Sequence, residues 1–299
     1  MQTALLLLPD FALIALGAWL RRAFHLGDHF WTGLEKLVYF ILFPALLFNA
    51  ITRQTFSLSA AAPLVSSGVV IMLAGAALGL LAQMIFRLPA MQFASLFQCA
   101  FRFNSYVALA VAGKINGPAG IAAMGIMLGV TVPLANLGAV TMLARHGETK
   151  VLRELARNPL LVSTAAGFVW AVLGLPVPDA IRAFLGRLGD ASIALGLMSV
   201  GAALKLRGGL ERHARPAAAY LMTVKLLALP CVALGATALL HLTGVEADTA
   251  LIFATLPVAS SAYILAQRMG GDGAAVAWVI SASTVLAMVT IPTWLTYAR

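Results

Sequence analysis

Residues 63–86 read PLVSSGVVIMLAGAALGLLAQMIF, a run with no charged side chain. A hydrocarbon layer about 30 Å thick is crossed by around 20 apolar residues in a helix rising about 1.5 Å per residue, so this run has the length and chemistry of a membrane span. The rest of the chain repeats the pattern. Hydrophobic residues make up 61% of the 299 and charged residues 10%, whereas a soluble domain carries roughly a quarter charged residues. That stock of side chains cannot build a water-facing surface. Hydropathy marks ten spans, at residues 4–20, 33–51, 63–86, 91–112, 119–143, 159–175, 180–204, 217–240, 247–267 and 274–297. Short loops with turn chemistry join them, such as GKINGP at 113–118 and GGDG at 270–273. The fold class expected is an all-α polytopic membrane protein.

The apolar run 5–8 does not make a secretory leader. No positive charge precedes it, Pro9 and Asp10 interrupt it, and Arg21 and Arg22 follow it, so it is expected to remain as the first span. Lys and Arg number 20 against 11 acids. Most of the bases lie between spans and are not interleaved with aromatics, which argues against a nucleic-acid partner. Loops after the odd-numbered spans hold Arg21, Arg22, Arg87, Arg145, Lys150, Arg153, Arg157, Lys205, Arg207, Arg212, Arg215 and Arg268. The opposite side holds only Arg53, Lys114, Arg182, Arg187 and Arg299, while Lys36, Arg102 and Lys225 fall within spans. The positive-inside bias then predicts periplasmic or extracellular termini and a cytoplasmic loop at 145–158, in a cell inner (cytoplasmic) membrane.

Enzyme signatures are missing: there is no Walker A loop, no HExxH, no GxSxG and no paired-carboxylate motif. Cys99 and Cys231 lie inside spans and support neither a disulfide framework nor a thiolate metal site. His25 and His29 have metal-like spacing, but a metal needs more ligands than this loop offers. No metal and no cofactor is expected. Without an ATP-binding loop, uphill movement of a solute must draw on an ion or solute gradient.

The 145–158 loop splits the chain into halves of five spans, 1–144 and 159–299. Faint echoes link them. Asn104 and Tyr106 with Gly113 are matched by Ser261 and Tyr263 with Gly270, and Thr131 and Pro133 by Thr290 and Pro292. Because five is odd, a repeated five-span unit enters the membrane from opposite sides in its two copies, giving inverted repeats. Transporters of that kind bind solutes where spans are discontinuous near the midplane. Spans four and nine fit. In the ninth, Pro257 removes a backbone donor, and Ser260, Ser261 and Tyr263 follow it. In the fourth, Gln98, Arg102, Asn104, Ser105 and Tyr106 form a polar stretch with no proline.

A buried guanidinium costs about 2.5–3.5 kcal/mol at mid-span on insertion scales, so Arg102 requires an offset. Two readings stand open: a structural pair with Asp10 or Asp190, or a clamp for a substrate carboxylate. Asp10 and Asp190 are also candidates for carrying a coupling ion. Lys225 is read as snorkelling toward the interface, with a titratable coupling role as the alternative. Asn49 and Asn136 serve either interhelical bonding or substrate, while Gly75 with Gly79 and Gly125 with Gly129 allow close helix packing.

Several segments resemble the auxin efflux carrier (AEC) family, which includes plant PIN-type carriers and bacterial malonate-transporter-like proteins. LEKLVYFILFPALLF at 34–48 is similar to its second span, ALGAWLRR at 15–22 to its first, and GAAL at 201–204 to its seventh. Lys225 to Pro230 resembles its eighth span, and Leu256, Pro257 and the YILA run at 263–266 its ninth. The resemblance implies two inverted five-helix repeats, a dimerising scaffold, and a mobile part whose fourth and ninth helices cross as broken helices around the substrate. Asn104 matches the family's crossover asparagine and Pro257 its ninth-span proline. The fourth-span proline of PIN-type members is absent, with Arg102 nearby, which points away from auxin toward a small, more strongly anionic acid. Proton coupling, sodium coupling and uncoupled efflux all stay open. The expectation is a secondary transporter moving a small organic anion, a carboxylate, by an elevator-type movement, as a homodimer in the lipid bilayer. An uncoupled channel or facilitator is the alternative.

Overall fold

The computed structural model describes residues 2–53, 58–143, 159–204, 210–259 and 261–298. All regular structure among them is helical. In chain order the elements are α1 (Gln2–Ala23), α2 (Asp28–Leu37), α3 (Phe43–Ile51), α4 (Leu58–Phe86), α5 (Ala90–Phe97) and α6 (Ser105–Leu143). They continue with α7 (Pro159–Val172), α8 (Asp179–Ala202), α9 (Arg215–Thr223), α10 (Leu229–Leu239), α11 (Gly244–Thr255), α12 (Ser261–Arg268) and α13 (Gly273–Tyr297). Six helical stretches among the described residues are long and apolar enough to cross a membrane: 28–51, 61–86, 90–143, 179–202, 212–239 and 273–297. The longest of them, 90–143, contains both the fourth and fifth predicted spans. Gly117, at φ 57°, divides α6 just before Pro118. The ninth predicted span is two short helices, α11 and α12, and the sixth is the short α7.

Two spans change pitch for a shared reason. A π-helical turn, Val38–Leu42, joins α2 to α3, and another, Val224–Ala228, joins α9 to α10. A proline follows each by two residues, Pro44 and Pro230. Proline has no N–H to donate and its ring crowds the carbonyl four residues back, so one extra residue per turn relieves the conflict. The carbonyl so released at Leu226 accepts the indole N–H of Trp294 at 2.9 Å.

Packing sorts the helices into two groups. α1 lies along α8, and α3 lies against α7 and α8. The other group is α4, α5 and α6 with α9 to α13. Lipid tails supply no hydrophobic drive between helices, so close backbone approach matters more than apolar content. At Gly17 and Gly201 a Cβ would run into the main chain of the facing helix, at Met198 and Ile14 respectively, which clamps α1 onto α8. Gly75 and Gly79 admit the 97–101 segment, while Gly125 and Gly129 meet Leu47 and Thr164, as small residues at these spacings suggested. The second half of α6 is thus the seam against α3 and α7. The linker at 145–158, with Arg145, Lys150, Arg153 and Arg157, lies outside the described residues, as do Lys205, Arg207 and Arg299.

Candidate functional site

Helix α5 ends in a 3-10 turn, Gln98–Ala100, and the chain then runs non-helically through Arg102, Phe103 and Asn104 before α6 begins. No proline is involved. Asn104 starts the new helix instead: its Oδ1 accepts the backbone N–H groups of Tyr106 (3.0 Å) and Val107 (3.3 Å), the donors a helix N-terminus leaves unpaired. Its own N–H donates to the carbonyl of Pro257 at 3.0 Å. This bond joins the two interruptions. In the second, Leu256 leaves the helix at ψ 142°, and the Val258 N–H donates to the Ser283 hydroxyl at 3.2 Å.

Arg102 is 6% exposed. Its guanidinium donates to the Ser261 hydroxyl at 2.9 Å and to Gln98 Oε1 at 3.4 Å, and the Gln98 amide in turn donates to the Ala262 carbonyl at 3.2 Å. Neither acid nominated as its partner reaches it. Asp10 is half-buried on α1 and Asp190 is exposed on α8, and among the described residues Arg102 forms no ion pair. The structural-pair reading is therefore not what these residues adopt. One Asp10 oxygen is buried without a hydrogen-bond partner among them.

A cavity of about 190 Å³ lies against the first interruption. Arg102, Phe103, Asn104, Ser105 and Tyr106 line it from that side, and Ala259 and Ser261 from the second interruption. Val132, Ala135 and Asn136 of α6 complete that wall, while Glu35, Tyr39 and Phe43 face them from the other helix group. Two helix N-termini, those of α6 and α12, converge here and add partial positive charge beside Arg102. Since Oδ1 of Asn104 is committed to α6, its Nδ2 is left as a buried donor without a partner among the described residues. The deep wall is thus rich in donors and can accept an anionic oxygen.

Of the residues singled out from sequence, Arg102, Asn104, Ser105, Tyr106, Asn136 and Ser261 line this cavity. Pro257 contributes a carbonyl to the junction but not to the lining, and Tyr263 is half-buried away from it. Ser260 lies outside the described residues. Lys225 does not snorkel: it is 1% exposed, held by the π-helical turn among packed helices, and it is not part of the lining. Sequence reasoning missed Glu35, Tyr39 and Phe43. Their spacing of four residues along one span was the available signal.

A family model described as membrane transport protein matches residues 141–295, just over half of the chain. An uncharacterized transporter of Methanothermobacter thermautotrophicus is 27% identical over 94% of this chain and 94% of its own. Auxin efflux carrier component 7 of Arabidopsis thaliana is 25% identical over 58% of this chain, and probable auxin efflux carrier component 1b of Oryza sativa is 28% identical over 40%. Those matches cover only 28% and 22% of the two plant carriers.

Proposed function

The chain belongs to the membrane transport protein family of the auxin efflux carriers, and from that premise we propose that it carries a small organic carboxylate by alternating access. It is a multi-pass membrane transporter, not an enzyme. The observation that carries the substrate reading is Arg102, a buried guanidinium whose bonds among the described residues go to neutral acceptors, set on a cavity wall with an amide donor beside it that has no partner among them. A charge at that depth costs about 2.5–3.5 kcal/mol, and a carboxylate matched to the guanidinium fork offsets it. The cavity has the room of about six water molecules, which suits an acid of about three to five carbons.

Ten spans in two inverted repeats, 1–144 and 159–299, accommodate the helices, with the broken fourth and ninth spans as crossovers. Two hydrogen bonds support that reading. Gln92, at the start of the fourth span, donates to Asp272 before the tenth, and Asn116, before the fifth, donates to Asp248 at the start of the ninth, each at 3.0 Å. Exchanging the two repeats turns one pair into the other. In the movement proposed, α4 to α6 and α9 to α13 slide as one body against α1, α2, α3, α7 and α8, the latter group forming a homodimer. The termini face the periplasm or exterior of an inner membrane, and H⁺ or Na⁺ is the coupling ion if transport is uphill.

Uptake of mono- and dicarboxylates into proteoliposomes, with and without pH and Na⁺ gradients, tests this. Saturable uptake that Arg102→Gln removes is the expected result. Flux that rises linearly with solute would make the protein a channel, and saturable uptake untouched by Arg102→Gln would overturn the site.

A further inference from the structure

The cavity carries two opposite charges, one on each helix group. Arg102 sits on its deep wall, and Glu35 lines it from α2. Among the described residues the Glu35 carboxylate takes part in no ion pair. The nearby base Arg21 is held instead by the Asp28 carboxylate and by the Ala202 carbonyl at 2.9 Å. That leaves the walls with a donor-rich cationic end, built from Arg102, Asn104 and Ser261, and an acceptor end at Glu35.

A plain monocarboxylate bound at Arg102 would bring a second negative charge toward Glu35, and a dicarboxylate would bring two. Like charges in a low-dielectric cavity repel strongly, whereas a ligand with one charge of each sign leaves neither wall uncompensated. Resting on the carboxylate-carrier reading above, we infer that the substrate is a zwitterion, a small acid that also bears an ammonium group. Its carboxylate lies at Arg102 and its ammonium toward Glu35. Since Glu35 belongs to the group that stays behind in the proposed sliding movement, the ammonium contact exists in this conformation and breaks when the carrier moves. Glu35 then sets specificity on the face to which the cavity is presented here.

Four solutes of similar size separate the possibilities: butyrate, succinate, 2-aminobutyrate and 4-aminobutyrate, each measured for saturable uptake into proteoliposomes. The expected result is that one of the two amino acids exceeds butyrate and succinate in kcat/KM by about tenfold or more. Glu35→Gln should erase that preference, lowering kcat/KM for the amino acid and raising it for butyrate, because the like charge facing the carboxylate is gone. If butyrate or succinate is preferred by the parent protein, the zwitterion inference fails and the carboxylate carrier survives. An amino-acid preference that persists in Glu35→Gln also overturns it, because Glu35 would not be the ammonium's partner. Absence of saturable uptake for all four removes both readings together.

Discussion

The two interruptions of the helix bundle are made by different means. The one at 102–104 has no proline, and Asn104 supplies from its own side chain the acceptor that starts α6. The one at 256–259 has Pro257 and borrows its acceptor, the Ser283 hydroxyl, from α13. A proline is therefore neither required nor sufficient for a break within a membrane helix. What permits it is partners for backbone groups that leave the ladder. The charge falls on the self-sufficient side, since Arg102 belongs to the first interruption and, among the described residues, the second offers it the Ser261 hydroxyl.

The sharpest test of that asymmetry is to cut the Arg102 to Ser261 contact from each end. Arg102→Leu should lower transport by about 100-fold or more, because truncating a buried charge that pairs with a ligand loses about 2–5 kcal/mol. Its melting temperature in detergent should hold or rise, since a buried charge replaced by a matched apolar group is often neutral or stabilising. Ser261→Ala removes one neutral acceptor of the guanidinium and should lower transport only about three- to tenfold. Equal effects from the two ends would mean that the charge is structural.

Asn104 divides its two roles between two atoms, and two variants separate them. Asn104→Leu removes the acceptor of two N–H groups and should destabilise the protein by about 1–2 kcal/mol, read as a lower melting temperature. Asn104→Asp keeps the acceptor and so keeps the fold, but it replaces the free Nδ2 donor with a negative charge beside Arg102. Transport of a carboxylate should then fall while stability is retained. If the Asn104→Asp variant transports normally, the free donor of Asn104 does not contact substrate.

How much of this was legible follows from what each residue had to do. The polytopic helical class was readable because oil tolerates few side chains, and Arg102 was conspicuous because a charge there must be explained. Asn104, Ser105, Tyr106 and Ser261 were reached through the polar stretch around Arg102 and the hydroxyls after Pro257. The other wall was not. Glu35 lies in the first turn of the span read at 33–51, beside Lys36, where a charge reads as interface, and only the folded chain shows it lining Arg102's cavity. Lys225 was misread for the opposite reason. Its stem could have reached an interface, but the turn that Pro230 imposes buries it, and the consequence of a proline for a side chain five residues upstream depends on the helices packed around it.

Ser283 is a residue that no sequence pattern singled out, yet the second interruption depends on it. It is fully buried, and Ser283→Ala would leave the Val258 N–H without its acceptor at a cost of about 1–3 kcal/mol. Thermal unfolding in detergent should show that loss, with a smaller fall in transport than for Arg102→Leu.

Pro257→Ala should have the smallest effect of all. The bond that ties the interruptions together runs from the Asn104 N–H to a main-chain carbonyl, which alanine supplies equally well. What changes is the denatured chain, which gains freedom worth about 0.4–1 kcal/mol when a proline is removed from a position it fits. The break should therefore persist, with the amides of Val258 and Ala259 exchanging with deuterium as in the parent and transport within about threefold of it. Should the variant instead gain amide protection across 256–261 and lose transport, α11 and α12 have joined into one helix. That result would show that the proline itself makes the second break, and that only the first is held open by its partners.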